Sequence, residues 1–146
     1  MTRIVNSIEI KAPPEKVFSI VSEFERIPEW QSEFKKVRYT SKEKKKVGAT
    51  LHATCEVGGF KPDIDLTITE WSVNKRIAWQ TTMGNASGSG TISLEPVGAA
   101  TKYTEIIEYA MPYPILGKLI DRLRIRKAME KSYQAAIKNK KALAEK

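Results

Sequence analysis

The chain has 146 residues, 41% of them hydrophobic and 29% charged, the profile of one globular domain over residues 1–146 with no room for a second. A chain of this length buries roughly two-thirds of the surface its unfolded form exposes, so it needs no structural metal, and its one cysteine, Cys55, permits no internal disulfide. No stretch approaches the roughly eighteen consecutive apolar residues of a membrane span, and the opening Met1-Thr2-Arg3-Ile4-Val5-Asn6-Ser7 lacks the apolar run of a signal peptide, so a cytoplasmic location is expected.

Residues 2–11 read as a strand. Ala12-Pro13-Pro14-Glu15 then opens a helix, because proline is tolerated in a first turn where its missing N–H would have no partner, and Val17, Phe18 and Val21 form its apolar face. A second short helical segment is expected from Glu23 to Trp30 or as far as Phe34, interrupted or restarted at Pro28. Six strands follow, marked by alternation and by turn residues about ten apart: Val37–Glu43, Ala49–Val57, Pro62–Ser72, Arg76–Met83, Ser87–Glu95 and Thr101–Met111. Strands joined this closely are antiparallel. Ile64, Leu66 and Ile68 alternate with Asp63, Asp65, Thr67 and Thr69, which predicts one buried and one wet face. Trp71 falls on the polar face of that strand unless a bulge intervenes.

The last segment, opened by Pro112-Tyr113-Pro114, is helical nearly to Lys146. Its stripe changes phase: Leu116, Leu119, Ile120 and Leu123 share one face, whereas Ile125, Met129, Tyr133 and Ala136 lie on another, rotated by roughly 130° at 100° per residue. A break near Arg124 is expected; a single straight helix would need its halves to face different neighbours.

The net charge of +8 is concentrated. Residues 35–46 carry +6 and residues 117–146 carry +7, leaving the remainder at −5. Such fields suit an anionic membrane surface or an acidic protein as a transient partner, beside the plainer role of a solvated loop and helix face. Nucleic acid is not an expected partner, since no helix-turn-helix, zinc finger or aromatic RNA-binding motif accompanies the basic runs.

Several catalytic constellations fail on counting. His52 is the single histidine, and its neighbours Thr50, Thr54 and Glu56 place it on the outer strand face, away from Cys55. No histidine or cysteine pair has metal-ligand spacing, so no metal is expected. Gly84-Asn85-Ala86-Ser87-Gly88-Ser89-Gly90 lacks the Gly-Lys-Ser/Thr ending of a phosphate loop and joins two strands, so it reads as a hairpin connection.

The order strand, two short helices, six antiparallel strands and a long helix carries a resemblance. Ile8-Glu9-Ile10-Lys11-Ala12-Pro13-Pro14-Glu15-Lys16-Val17-Phe18, Pro28-Glu29-Trp30, Val47-Gly48, Ile68-Thr69-Glu70-Trp71, Leu94-Glu95-Pro96 and Leu116-Gly117 resemble the START-like (SRPBCC) superfamily, in its polyketide cyclase/dehydrase and lipid-transport branch. The match spans essentially the whole chain and consists of turn and core punctuation. It implies an α+β helix-grip fold, a seven-stranded curved antiparallel sheet wrapped around a long C-terminal helix. It also implies an elongated cavity for a bulky apolar molecule, and no cofactor.

Inward strand positions mix small residues with large residues that carry polar tips, as ligand pockets do. The expected lining comprises Ala53, Cys55, Leu66 and Ile68, then Trp79, Thr81, Met83 and Ile92, then Tyr103, Glu105, Ile107 and Tyr109. Leu119, Leu123 and Met129 of the last helix complete it, with Trp30 and Phe34 at the mouth or stapling the short helices to the sheet. Two registers remain open for Glu105, because a shift of one residue exchanges the faces. Facing inward, it is a candidate general base, with Tyr103 or Tyr109 as hydrogen-bond donor to a developing enolate. Three functions are therefore in view: carriage of a hydrophobic or amphipathic small molecule; a cyclase, dehydratase or isomerase acting on a polyketide-like or steroid-like ketone; and a protein-interaction module using the basic surfaces.

Overall fold

The computed structural model describes residues 2–56, 61–84, 86–110 and 119–146, with side chains in the last segment described at 123, 124 and 126–146. The expected strand end at Met111, the helix opening at Pro112-Tyr113-Pro114 and the Gly58-Gly59 turn lie outside these residues, as do the side chains of Leu119, Ile120 and Ile125.

Strand β1 (Thr2–Ile10) is followed by helix α1 (Pro14–Val21), a 3-10 helix (Phe24–Glu29) and then β2 (Phe34–Tyr39), β3 (Thr50–Cys55), β4 (Asp63–Ser72), β5 (Arg76–Met83), β6 (Ala86–Val97), β7 (Ala100–Ala110) and α2 (Leu119–Ala144). All seven strands form one antiparallel sheet in the order β1-β7-β6-β5-β4-β3-β2. Consecutive hairpins generate β2 to β7, and β1 adds at the far edge beside β7, so α1 and the 3-10 helix carry the chain from one edge of the sheet to the other. This is the curved sheet and C-terminal helix of the helix-grip architecture. Among the described residues no helix is long and apolar enough to cross a membrane.

Pro14 stands in the first turn of α1, which buries Val17, Phe18 and Val21. The 3-10 helix runs through Pro28 without interruption. A helix of this type and length has few backbone bonds to lose, and the segment ends one residue beyond the proline, after which the Trp30 and Gln31 amides both donate to the Ile27 carbonyl. Strand β2 begins three residues earlier and ends four residues earlier than the alternation predicts; at its end the Thr40 and Ser41 amides both converge on the Thr50 carbonyl at the start of a lysine-rich loop.

The inner face carries Ile10, Leu51, Ile68, Ile77 and Tyr103 at its tightest points. A register shift between Ile68 and Glu70 turns Trp71 to this face, since one extra strand residue exchanges the sides. Trp71 then meets Phe18 edge-on at 5.6 Å, while Phe24 packs edge-on against Trp79 at 5.5 Å. Only Gly84 and Asn85 separate the ladder residues of β5 and β6, Met83 being paired with Ala86; most of the expected glycine-rich connection is therefore strand. Gly90 is where it is needed: a Cβ there would lie 2.2 Å from Cζ2 of Trp79, so the indole rests on bare backbone.

The break expected near Arg124 is absent, α2 being continuous from Leu119 to Ala144. No proline or glycine interrupts this stretch, and helical hydrogen bonds are local, so a change of apolar phase alters what the helix faces without breaking it.

Replacing Gly90 with valine should destabilise the protein by about 1–3 kcal/mol through overpacking against Trp79. Chemical denaturation, with tryptophan fluorescence reporting the displaced indole, measures the effect; an unchanged midpoint would contradict the contact.

Candidate functional site between the sheet and the C-terminal helix

Ladder pairing settles the register of β7. Glu105 stands between Asn6 of β1 and Ile92 of β6, and it faces inward with Tyr103 and Ile107, at 2%, 0% and 6% exposure respectively. A carboxylate this deep requires a partner. That partner is Lys140 of α2, itself buried: its Nζ donates to Glu105 Oε2 at 2.6 Å and to the Tyr103 hydroxyl at 2.8 Å, and the Tyr103 hydroxyl donates to the same Oε2 at 2.7 Å. The ammonium also stands 5.2 Å from the Tyr103 ring centroid and 6.0 Å from that of Trp30. Asn139 Nδ2 donates to the Trp30 carbonyl at 3.0 Å, fastening the 3-10 corner to the same turn of the helix.

Electrostatics around this cluster favour protonated neutral groups. Burial, reinforced by Glu105, holds the Tyr103 phenol well above its usual range. Tyr133 on α2 is raised by burial and then by the Glu105 charge, and Tyr109 is raised chiefly by burial. Burial, with Asp63 and Glu33 adding to it, pushes the Cys55 thiol up to about 12.

Nearby, Gln31 Nε2 donates to Ser132 Oγ at 3.1 Å, and that hydroxyl donates to Glu33 Oε2 at 2.8 Å. Glu33 and Ser132 belong to a surface recess of about 450 Å³, where α2 passes Lys35 and Glu56.

The inner face is closed over one part and less covered over another. Across the rows through Tyr103 and Glu105 the sheet is filled by Leu94, Ile92 and Ile77, and in the row of Ile107 the Trp79 side chain rests over Gly90. Further along the same strands Tyr109, Thr81 and Met83 are half-buried, with Gly88 set between Thr81 and Tyr109.

Comparison with known proteins bears on what such an interior is for. The family model described as polyketide cyclase/dehydrase and lipid transport matches residues 1–145. The chain belongs to this family. TTHA0849 of Thermus thermophilus superposes on this family member with a TM-score of 0.82 at 20% identity, over 98% of this chain and 97% of that one. The Zhui aromatase/cyclase of Streptomyces sp. R1128 superposes with a TM-score of 0.83 at 13% identity, over 99% of this chain and 93% of that one. A START superfamily protein of Mycobacterium smegmatis gives 0.67 at 20% identity, over 90% and 97%; these three likenesses speak to the fold. An uncharacterized 17.2 kDa protein of Streptomyces lincolnensis is 25% identical over 93 residues, which are 64% of this chain and 58% of that relative.

Within this family member the structure brings Trp30, Ala53, Cys55, Leu66, Ile68, Ile92, Tyr103, Glu105 and Ile107 into the buried interior. Phe34, Trp79, Thr81, Met83, Tyr109 and Met129 are half-buried. Leu123 is 50% exposed, and the buried face of α2 is set further along by Ala136, Ile137, Lys140 and Ala144. The Leu119 side chain lies outside the described residues. His52 is on the outer face, its Nδ1 2.9 Å from Asp65 Oδ1.

Lys140 is the residue that sequence reasoning missed, counted there as one more solvated cation. The available signal was its spacing, since Tyr133, Ala136, Ile137, Lys140 and Ala144 share one helical face. Three lysines of the basic loop are also engaged within the chain: Lys44 Nζ lies 3.5 Å from Glu25 Oε1, Lys46 Nζ lies 3.8 Å from Glu43 Oε2, and Lys45 pairs with Glu23.

Lys140→Met should cost about 3–5 kcal/mol, because it leaves Glu105 buried and unpaired. The double variant Lys140→Met with Glu105→Leu should recover much of that loss. Urea unfolding of both variants tests the coupling, and additive losses would show that the two groups do not interact. Cys55 should resist iodoacetamide in the native protein near pH 8 and react promptly in denaturant, since the thiolate is the nucleophile. Its folded value lies above the ordinary 9.0. The stability held by the neutral thiol is therefore complete below that pH and lost as pH rises toward about 12. Rapid labelling of the native protein would contradict this placement.

Proposed function

We propose that the protein binds and carries a hydrophobic or amphipathic small molecule between the sheet and α2. The observation that carries this reading is the uneven cover of one continuous inner face. It is closed around Tyr103, Glu105 and Ile107, yet leaves Thr81, Met83 and Tyr109 half-buried beside a glycine, Gly88. Half-covered apolar and ring surface gains on meeting an apolar ligand, at about 25 cal/mol per Å² removed from water. A few hundred Å² is enough for micromolar binding after ordering costs. Family membership, whose description joins cyclases and lipid transport, supports the same reading.

Likeness to the Streptomyces aromatase/cyclase raises a catalytic alternative with Glu105 as base. A general base must be available to the proton it takes. Glu105 Oε2 already accepts from Lys140 and Tyr103, and its side chain is 3% exposed. Binding without turnover is therefore favoured.

Native mass spectrometry of the purified protein, followed by solvent extraction, tests the proposal without a guess at the ligand. The expected result is a stoichiometric apolar adduct, or uptake of a lipophile from a broad panel, that disappears on denaturation. A clean protein that takes up none of the panel would overturn the proposal.

A further inference from the structure

The two edges of the sheet are unlike. Strand β2 guards its edge with Lys35, Lys36 and Arg38 and with a register shift between Phe34 and Lys36, devices that discourage a further strand from adding there. Strand β1 has none of them. It pairs with β7 without a shift from Thr2 to Ile10 and contains no lysine, proline or glycine. The Glu9 carbonyl points away from β7 and accepts from Lys141 Nζ at 2.9 Å, and the Lys11 amide donates to Glu145 Oε2 at 2.7 Å. Peptide groups turn to alternate sides along an antiparallel strand, so those of Arg3, Val5 and Ser7 point to the edge as well. Among the described residues they have no hydrogen-bond partner.

The outer face of β1 carries Arg3, Val5, Ser7 and Glu9, all exposed, Val5 at 55%. Their order is self-complementary. A two-fold axis through Asn6 sets Arg3 opposite Glu9 and Val5 opposite Ser7 of a second copy, and these are the residues whose peptide groups point outward, as a ladder requires. Moving the axis to Val5 or Ser7 sets Arg3 opposite Ser7 or Lys11 instead. Within one copy Glu9 stands beside Lys102 and Lys102 beside Glu95, while Arg3 stands beside Glu108. Across the axis through Asn6 the outer row then runs Glu95, Lys102, Glu9, Arg3, Glu108, alternating in sign throughout, and opposite charges facing one another on neighbouring strands are favourable. On the inner face the two Asn6 side chains meet at the axis, each amide offering the other a donor and an acceptor.

The geometry points to a second copy of this chain as the partner of β1: two copies pair antiparallel about Asn6, and their seven-stranded sheets continue into one another. One added ladder is a small interface, so the dimer is reversible and depends on concentration.

Sedimentation velocity of the full chain at concentrations up to about 200 µM reads the association. A monomer–dimer equilibrium is expected, and a monomer throughout would overturn the inference. Arg3→Glu and Glu9→Arg each set like charges opposite one another at both ends of the ladder, and each should weaken the dimer about tenfold. Mixing the two variants in equal amounts brings opposite charges together again in the heterodimer and should recover the affinity of the unmodified chain, since only a contact between copies is repaired by mixing. Single variants that associate like the unmodified chain, or a mixture without recovery, would overturn the assignment of Arg3 and Glu9. Ser7→Pro removes an outward N–H and leaves the ladder with β7 intact; it should be monomeric over the same range. A dimer that persists in it uses another surface, which overturns the inference whatever the charge variants show.

Discussion

A single sheet with one apolar face has to be covered, and here the cover is anchored by a charge. Lys140 reaches from α2 to Glu105 and Tyr103 on β7, and the neighbouring Asn139 holds the corner at Trp30. A buried ion pair of this kind adds little net stability over an apolar contact, since both ions lose their hydration. Its value is in register. An apolar helix face slides over an apolar sheet at small cost, whereas a displaced Lys140 would leave two buried charges unsatisfied. The position of α2 on the sheet, and with it the shape of the space beneath, follows from that one contact.

Around this anchor the structure divides into a rigid and a receptive part. The aromatic group of Phe18, Phe24, Trp71 and Trp79 fastens α1 and the 3-10 helix to the middle strands. Gly90 lets the Trp79 indole lie against the backbone. Toward Gly88 and Tyr109 the inner face is less completely covered, and a ligand there would add the missing contacts. Close-packed interiors resist change of volume, so the dense part holds its shape independently of the less covered part.

Charge is arranged by the same economy. Lysines crowd the loop after β2 and the last helix, yet Lys44 and Lys45 turn to Glu25 and Glu23, and Lys140 is wholly internal. A run of basic residues in a sequence is therefore not a map of surface potential. Among the described residues the buried cation Lys140 is matched directly with the buried carboxylate Glu105.

The sequence by itself determined the order of elements, the antiparallel sheet and the inward faces of β4, β5 and β6, because alternation and turn chemistry are local and report on which side is dry. It also carried the family resemblance, which rests on punctuation spread along the chain. The tertiary structure alone decided the register of Glu105, the continuity of α2, the exposure of Leu123 and the identity of the Glu105 partner. A register depends on ladders between distant strands, as Asn6 and Ile92 flank Glu105, and alternation cannot distinguish two pairings offset by one residue. The bulge at Thr69 that turns Trp71 inward is likewise a property of pairing with β5. Lys140 was hidden for a further reason. Composition treats a lysine as solvated, and its burial becomes favourable only once a carboxylate 35 residues away in the chain is brought within hydrogen-bonding distance by the fold.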